Sequence, residues 1–418
     1  MKTSKKRLRI GVVSEYLDST GGTPTILSNL VRHLNAHYPD LQIEVIASRN
    51  IYRGDEKLPA RENWDGVRIF RLNTPKSNRD STALRLIAGL GFTTAVFWHL
   101  VNRRSYDALL IVTNPPTLPL AIRALKTIKK VPYLYLIHDL YPDVAVVLGV
   151  LDAKSRAARV LNRLQGGWLH AADKTLVLGR DMRQHLVENY QMEASQIEVM
   201  PNWCDPNEVL PSKTSRFRDE KGLQGVVALY AGNFGHYQTF DELLDAAALL
   251  KDSHPDLKIV LVGGGAQDAH IRARVEAEKL SNVHVFAMVS QKEYPDVLAA
   301  ADIALVTLAP GAEGVGVPSK FYNILASGRP TVAVVAAHSE VALVLRESEA
   351  GIQVDQGDAA HLAQVLAQLS DSPDETLRMG ANARRALIEN YTIEKVGQLF
   401  HRALREVVEP KHPEPLKP

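Results

Sequence analysis

The sequence predicts an α/β protein built from two doubly wound domains, and three observations predict it. Short apolar runs rich in β-branched residues recur through both halves, the pattern of strands buried on both faces of a parallel sheet. Stretches with helical spacing of apolar residues separate them, as the crossovers of a parallel sheet require. Near the middle lies MPNWCDPNEVLPSK, residues 200–213, with three prolines and no periodicity, which reads as a linker. At 418 residues the chain is long enough for two separate cores.

The first half, residues 1–203, opens with a buried strand at Leu8–Val13. The loop that follows, EYLDSTGGTP, carries Gly21 and Gly22 and leads into a helix from about Pro24 to Tyr38. Ile26, Leu27, Leu30, Val31 and Leu34 recur there at helical spacing, and Pro24 suits a first turn. Further strands are expected at 42–48, 67–72, 107–113 and 133–138. Ligands of such sheets sit at the carboxyl ends of strands. Both the Gly21–Gly22 loop and HDLYPD, His138 to Asp143, lie at such ends. Another helix–strand–helix–strand run, Ser155 to Asn202, closes this half.

Residues 82–104 stand apart. From Leu86 to Val101 the only ionisable side chain is His99, and Arg79, Arg85, Arg103 and Arg104 flank the run. It is too short and too rich in Gly and Thr for a confident bilayer span. Two expectations stay open: a core helix, or a helix at a membrane surface with Phe97 and Trp98 at headgroup level.

The second half, residues 204–392, repeats the architecture, with strands expected at 226–231, 258–262, 283–288, 303–308, 331–335 and 352–354. Residues 374–408 are helical. Their last part, 393–408, is expected to cross back over the domain boundary, ahead of a proline-rich tail at 409–418 that is expected to be disordered. The stretch richest in chemistry is GAEGVGVPSKFYNILASGRP, residues 311–330. Strand, glycine-rich loop and helix N-terminus together favour an anion, because free N–H groups and the positive end of the helix dipole converge there. Gly311, Gly314 and Gly316 allow close backbone approach. Ser319 is a natural N-cap with Pro318 ahead of it. Lys320 then places a cation in a first helical turn, where the dipole disfavours it unless an anion lies alongside. About three turns of helix are expected to follow.

Composition narrows the function classes. One cysteine, Cys204, excludes a disulfide framework and a cysteine-based zinc site. The basic start turns acidic and polar at once, so no signal-peptide core is read and a cytoplasmic protein is expected. Residues 1–205 hold 28 basic against 19 acidic side chains, net +9, and the remainder 21 against 28, net −7. Such a split suggests that the first half faces something anionic.

The motifs in combination resemble the GT-B fold of nucleotide-sugar glycosyltransferases. YAGNFGHYQTFDELLDAAALL, LVGGG, NVHVFAMVSQKEYPDVLAAADIALVTL and VPSKFYNILASGRP are similar to the donor domain of family 4 (group 1) retaining transferases. HDLYPDVAVVLGVL and VMPNWCDP resemble the branch that builds bacterial O-antigen, capsule and exopolysaccharide. The resemblance spans about residues 8 to 408. It implies two Rossmann-like domains, a nucleoside diphosphate sugar (UDP-linked) bound in the second, and a lipid-linked or oligosaccharide acceptor in the first. It implies no metal, no other cofactor and no nucleic acid. It carries Gly21 and Gly22 to the loop near the reacting sugar and His138 to the histidine beside the donor sugar. Gly316, Pro318 and Ser319 fall in the phosphate loop.

The departures are informative. Asn233 and Gln238 stand where many members carry Arg and Lys against the diphosphate, and Asn323 replaces the second of two glutamates, the one that holds the ribose. The first would fall at Val315, two residues from Glu313. A diphosphate held by neutral groups alone is poorly matched, so Lys320 is the expected replacement cation, with Gly232–Asn233 supplying N–H donors. Glu340, which matches a loop glutamate, is expected to reach a ribose hydroxyl. Two rivals accompany this reading: a UDP-sugar 2-epimerase of related fold, and a non-catalytic sugar-nucleotide-binding scaffold.

Overall fold

The computed structural model describes residues 7–17, 23–51, 54, 56–76, 82–103 and 106–409. Gly21 and Gly22, with Arg79 and Arg104, lie outside the described residues, as does nearly all of the tail.

The first sheet has eight strands: β1 (Leu8–Val13), β2 (Leu41–Ser48), β3 (Arg61–Trp64), β4 (Val67–Leu72), β5 (Ala108–Val112), β6 (Tyr133–Ile137), β7 (Lys174–Val177) and β8 (Ile197–Val199). Their spatial order is β3-β4-β2-β1-β5-β6-β7-β8. All pairs are parallel except β3 with β4. That hairpin was not expected from the sequence, although Asp65-Gly66 between alternating residues is its signal. Asp65 and Gly66 both take positive φ there.

Among the described residues, six helices belong to this sheet: α1 (Thr23–His37), α2 (Thr82–Val101), α3 (Leu118–Lys129), α4 (Asp143–Val147), α5 (Arg156–Leu169) and α6 (Arg180–Tyr190). The chain steps one way along the sheet from β1 to β2 and the opposite way from β4 through β8. Right-handed crossovers therefore put α1 on one face and α2, α3, α5 and α6 on the other.

The second sheet is wholly parallel: β9 (Val226–Asn233), β10 (Leu257–Gly264), β11 (Val283–Ala287), β12 (Ile303–Thr307), β13 (Thr331–Val334) and β14 (Gly351–Val354), in the order β11-β10-β9-β12-β13-β14. Its helices are α7 (Arg216–Glu220), α8 (Asp241–Leu250), α9 (Asp268–Ala277), α10 (Tyr294–Ala299), α11 (Lys320–Ser327), α12 (Glu340–Ser348), α13 (Ala359–Asp371) and α14 (Pro373–Asn390). The central strands are largely aliphatic and buried, as both-face coverage demands.

The last helix, α15 (Ile393–Val408), returns to the first domain and packs on α1, β5 and β6. Its apolar stripe, with Val396, Phe400 and Leu404, is buried. On its polar edge His401 Nε2 lies 2.9 Å and an Arg405 Nη 3.1 Å from the carboxylate of Asp40, while Lys174 reaches Glu406 at 2.7 Å. One apolar core runs from the first sheet through α11 and into α15.

Residues 82–101 turn out to form a two-faced helix, α2. Phe92, Val96 and Leu100 are buried in the core, and Thr93 Oγ1 meets Thr117 Oγ1 at 2.8 Å at the start of α3. The helix is long and apolar enough to cross a bilayer by composition, yet one face is committed to the domain. Its other face is exposed.

Candidate active site

A cavity of about 410 Å³ opens at the carboxyl edge of the second sheet, between the end of β9, the segment after β11 and the N-terminus of α11. Gly232, Asn233 and Gln238 line one side; Pro318, Ser319, Lys320 and Asn323 line another. These residues, all expected from the sequence, come from distant stretches: 85 positions separate Asn233 from Pro318. The fold closes that distance by setting β9 beside β12, and the loop after β12 leads into α11.

Lys320 is the unusual group. Its Nζ is buried and has no hydrogen-bond partner, although the residue as a whole is only partly buried. The ammonium lies 3.4 Å from the centroid of the Tyr230 ring, close enough for a cation–π contact. Burial holds its pKa well below the usual lysine value. Gly232 makes this position accessible: a Cβ there would stand 3.3 Å from Lys320 Cδ and 3.5 Å from Nζ. Its φ of +153° also favours glycine.

The neighbouring groups are neutral donors and acceptors. Gln238 Oε1 accepts from the Gly235 N–H at 3.2 Å, and so closes the turn after β9. The Tyr230 hydroxyl donates to the Asn233 carbonyl at 2.8 Å. Ser319 occupies the N-cap of α11 but makes no side-chain capping bond. The helix is also shorter than expected, eight residues, ending at Gly328 in the left-handed conformation. Met288, Val289, Ser290 and Gln291 complete the cavity wall. Sequence reasoning missed them and Tyr230; the one available signal was a tyrosine in the otherwise aliphatic run VVALYAGN.

The glycine-rich loop itself faces the first domain. The Leu140 N–H donates to the Val315 carbonyl at 2.9 Å, and the Gly314 N–H to Asp181 Oδ2 at 3.3 Å. Gly316, expected against the donor phosphates, does not line the cavity. It packs beside HDLYPD, where a Cβ would lie 3.3 Å from the His138 carbonyl oxygen. His138 is buried at the carboxyl end of β6, with its backbone N–H donating to Thr113 Oγ1 at 3.3 Å. Its ring Nε2 has no partner, and burial lowers its pKa to about 4, so the imidazole is neutral at neutral pH.

Glu340 requires a correction. Expected at a ribose hydroxyl, it does not line the cavity and is buried against the first domain. Its Oε2 accepts from the Arg180 backbone N–H at 2.7 Å and from Arg180 Nε at 3.0 Å, and Oε1 from Nη2 at 3.2 Å. The Glu340 N–H in turn donates to Asp181 Oδ2 at 3.0 Å. A carboxylate with both oxygens committed across the domain boundary has little capacity left for a sugar. Arg180 and Asp181 thus form a clasp that the sequence did not announce. Cys204 is buried with its thiol pushed up to about 12, chiefly by burial.

Residues 21–203 match the model of a glycosyl transferase 4-like domain, and residues 211–386 that of the glycosyl transferases group 1. The chain belongs to the group 1 glycosyltransferases. The transferase is 29% identical over 322 residues to WbjE of Pseudomonas aeruginosa, a probable glycosyltransferase, covering 76% of this chain and 79% of that one. It is 27% identical to WcaI of Escherichia coli K12, a glycosyl transferase assigned to colanic acid biosynthesis, over 73% of this chain and 74% of the relative. Among solved structures, sucrose-phosphate synthase of Thermosynechococcus elongatus superposes with a TM-score of 0.76 at 18% identity, over 96% of this chain and 99% of that one. Anabaena HepE in complex with UDP-glucose gives 0.70 at 15% identity, over 96% and 100%. WaaG, a glycosyltransferase involved in lipopolysaccharide biosynthesis, gives 0.67 at 16%, over 96% and 100%. At these identities the structures establish the GT-B fold.

Proposed function

We propose that this transferase moves a glycosyl group, with retention, from a UDP-linked sugar to a hydroxyl of a growing lipid-linked polysaccharide at the cytoplasmic face of the membrane. The observation that carries the donor half is Lys320: a buried amine nitrogen without a hydrogen-bond partner, at a helix N-terminus, in a cavity whose lining includes the amide side chains of Asn233, Gln238 and Asn323. A diphosphate supplies the missing anion. Lys320 and the α11 N-terminus then stabilise the charge that grows on the leaving phosphate as the anomeric C–O bond breaks. HepE, whose structure holds UDP-glucose, supports the choice of UDP.

His138 is the group from the first domain that meets the sugar. A neutral imidazole with a free Nε2 can hydrogen-bond a sugar hydroxyl without a charge to desolvate. The acceptor hydroxyl attacks from the face the diphosphate leaves, forming the new C–O bond. Its proton passes to the departing phosphate oxygen, so no protein nucleophile and no metal is required. Incubation with a panel of UDP-, GDP- and ADP-sugars tests the reading. Acceptor-dependent release of UDP is expected; interconversion of the sugar without release would make the protein an epimerase, and binding without either would make it a scaffold.

A further inference from the structure

The helix layer on the outer face of the first domain combines two properties that soluble surfaces keep apart. Helices α2, α3 and α5 lie side by side, with the Arg123 guanidinium of α3 donating to the Gly167 carbonyl of α5 at 3.4 Å. None of the three contains an Asp or Glu. Large apolar side chains nevertheless stand in solvent: Leu84, Leu86, Ile87, Leu90 and Trp98 on α2, then Leu120 and Ile128 on α3. On α5 the exposed face interleaves Val160, Leu161 and Leu164 with Arg156, Arg159 and Arg163.

We propose that the joint face of α2, α3 and α5 docks on an anionic lipid bilayer, with α5 as its charged anchor. The purpose rests on the lipid-linked acceptor proposed above, but the surface itself does not. Charge complementarity selects the occupant. A polyanion such as nucleic acid would explain the arginines and leave the apolar side chains unused, whereas a bilayer takes both, headgroups against guanidinium groups and acyl chains against leucine and tryptophan. The sequence directed attention to residues 82–104 alone; α5 is the larger source of exposed positive charge and becomes its neighbour only through the fold. Docking by this face leaves α1 and α15, on the opposite side of the sheet, in water.

Co-sedimentation with vesicles of phosphatidylglycerol and phosphatidylcholine tests the proposal. The full-length protein is expected to pellet at low salt, with a residual bound fraction at high salt. At about fivefold in partitioning per basic residue, Arg156→Gln, Arg159→Gln, Arg163→Gln together lower low-salt binding roughly a hundredfold. A charge-matched control on the second domain, Lys213→Gln, Arg346→Gln, Arg378→Gln, leaves it within a few-fold. Trp98→Ser with Leu161→Ser removes the salt-resistant fraction. Absence of binding to anionic vesicles at low salt overturns the proposal. So does an equal loss in the control, or a salt-resistant fraction untouched by the two serines, which would mark simple polyanion binding. Transfer to a soluble acceptor, measured in parallel, is expected to persist in every variant. Its absence in the wild type would count against the transferase reading and leave the vesicle result standing.

Discussion

Replacing Lys320 by methionine separates function from stability. The substitution keeps the stem against Tyr230 and deletes the Nζ that has no hydrogen-bond partner. A buried polar group left unpaired costs about 1–3 kcal/mol, and a cation–π contact returns about 0.5–2 kcal/mol while the amine is charged. The free variant is therefore expected to lie between about 1 kcal/mol less and about 2.5 kcal/mol more stable than the wild type. Turnover moves the other way. Loss of one charge-assisted contact to a developing charge costs about 2–4 kcal/mol, or roughly 30- to 1000-fold in kcat/KM. The pH dependence adds a second readout. Burial depresses the folded lysine below its unfolded value of 10.5, so its contribution to stability is present above that pH and is lost as pH falls through the folded pKa. A bound diphosphate draws the pKa back up, so UDP binding takes up protons at pH values between the free and bound pKa. Titration calorimetry in buffers of contrasting ionisation enthalpy measures that uptake, and thermal unfolding with and without UDP measures the stabilisation. If the methionine variant loses stability in step with activity, or keeps the full UDP-induced shift, Lys320 is not the diphosphate cation.

His138→Ala is expected to lower kcat/KM at least about tenfold, as loss of a positioning group does, with a melting temperature close to wild type. Because burial lowers His138 to about 4, the wild-type pH–rate profile should carry no inflection near the ordinary histidine value of about 6.5 from this residue; one that vanishes in the alanine variant would contradict the assignment. Arg180→Met leaves the Glu340 carboxylate, 5% exposed, with the backbone N–H of residue 180 but without its guanidinium partner. Discounted for the 38% exposure of Arg180, a loss of about 1–2 kcal/mol and a more open domain arrangement in solution scattering are expected, whereas Glu340→Gln should leave UDP affinity nearly unchanged. Burial alone would raise Asp40, but His401 and Arg405 outweigh it and hold the carboxyl below its usual range. Asp40→Asn should accordingly destabilise the protein at neutral pH, and the difference should vanish as pH falls through the depressed pKa; a gap that persists in strong acid would disprove that linkage.

Both sheets were legible because their central strands are continuous aliphatic runs, and such runs have few other uses in a soluble chain. Gly232, Asn233 and Gln238 were singled out through the resemblance alone, and Lys320 because a cation in a first helical turn is disfavoured without an anion alongside; the fold brings all four to one cavity. The β3–β4 hairpin escaped notice because a four-residue polar strand at a sheet edge, RENW, has no apolar signature. Glu340 was misjudged for a different reason. Its sequence neighbourhood is that of a loop beside a nucleotide, and nothing in it shows that Arg180, 160 positions earlier, reaches both oxygens. Gly316 was drawn toward the wrong neighbour in the same way, since its contact with His138 crosses the domain boundary.

Local chemistry and periodicity are properties of short stretches, so the chain by itself determined the two α/β domains and the glycine-rich loop and helix on which the anion-binding reading rests. Tertiary structure decided whatever depends on pairs distant in sequence. It set Lys320 Nζ over Tyr230 without a hydrogen-bond partner, turned Glu340 onto Arg180, and divided α2 between core and solvent. It also brought the arginines of α5 beside the exposed leucines of α2. Burial and proximity are three-dimensional quantities, and the energies of buried charges and apolar faces follow from them.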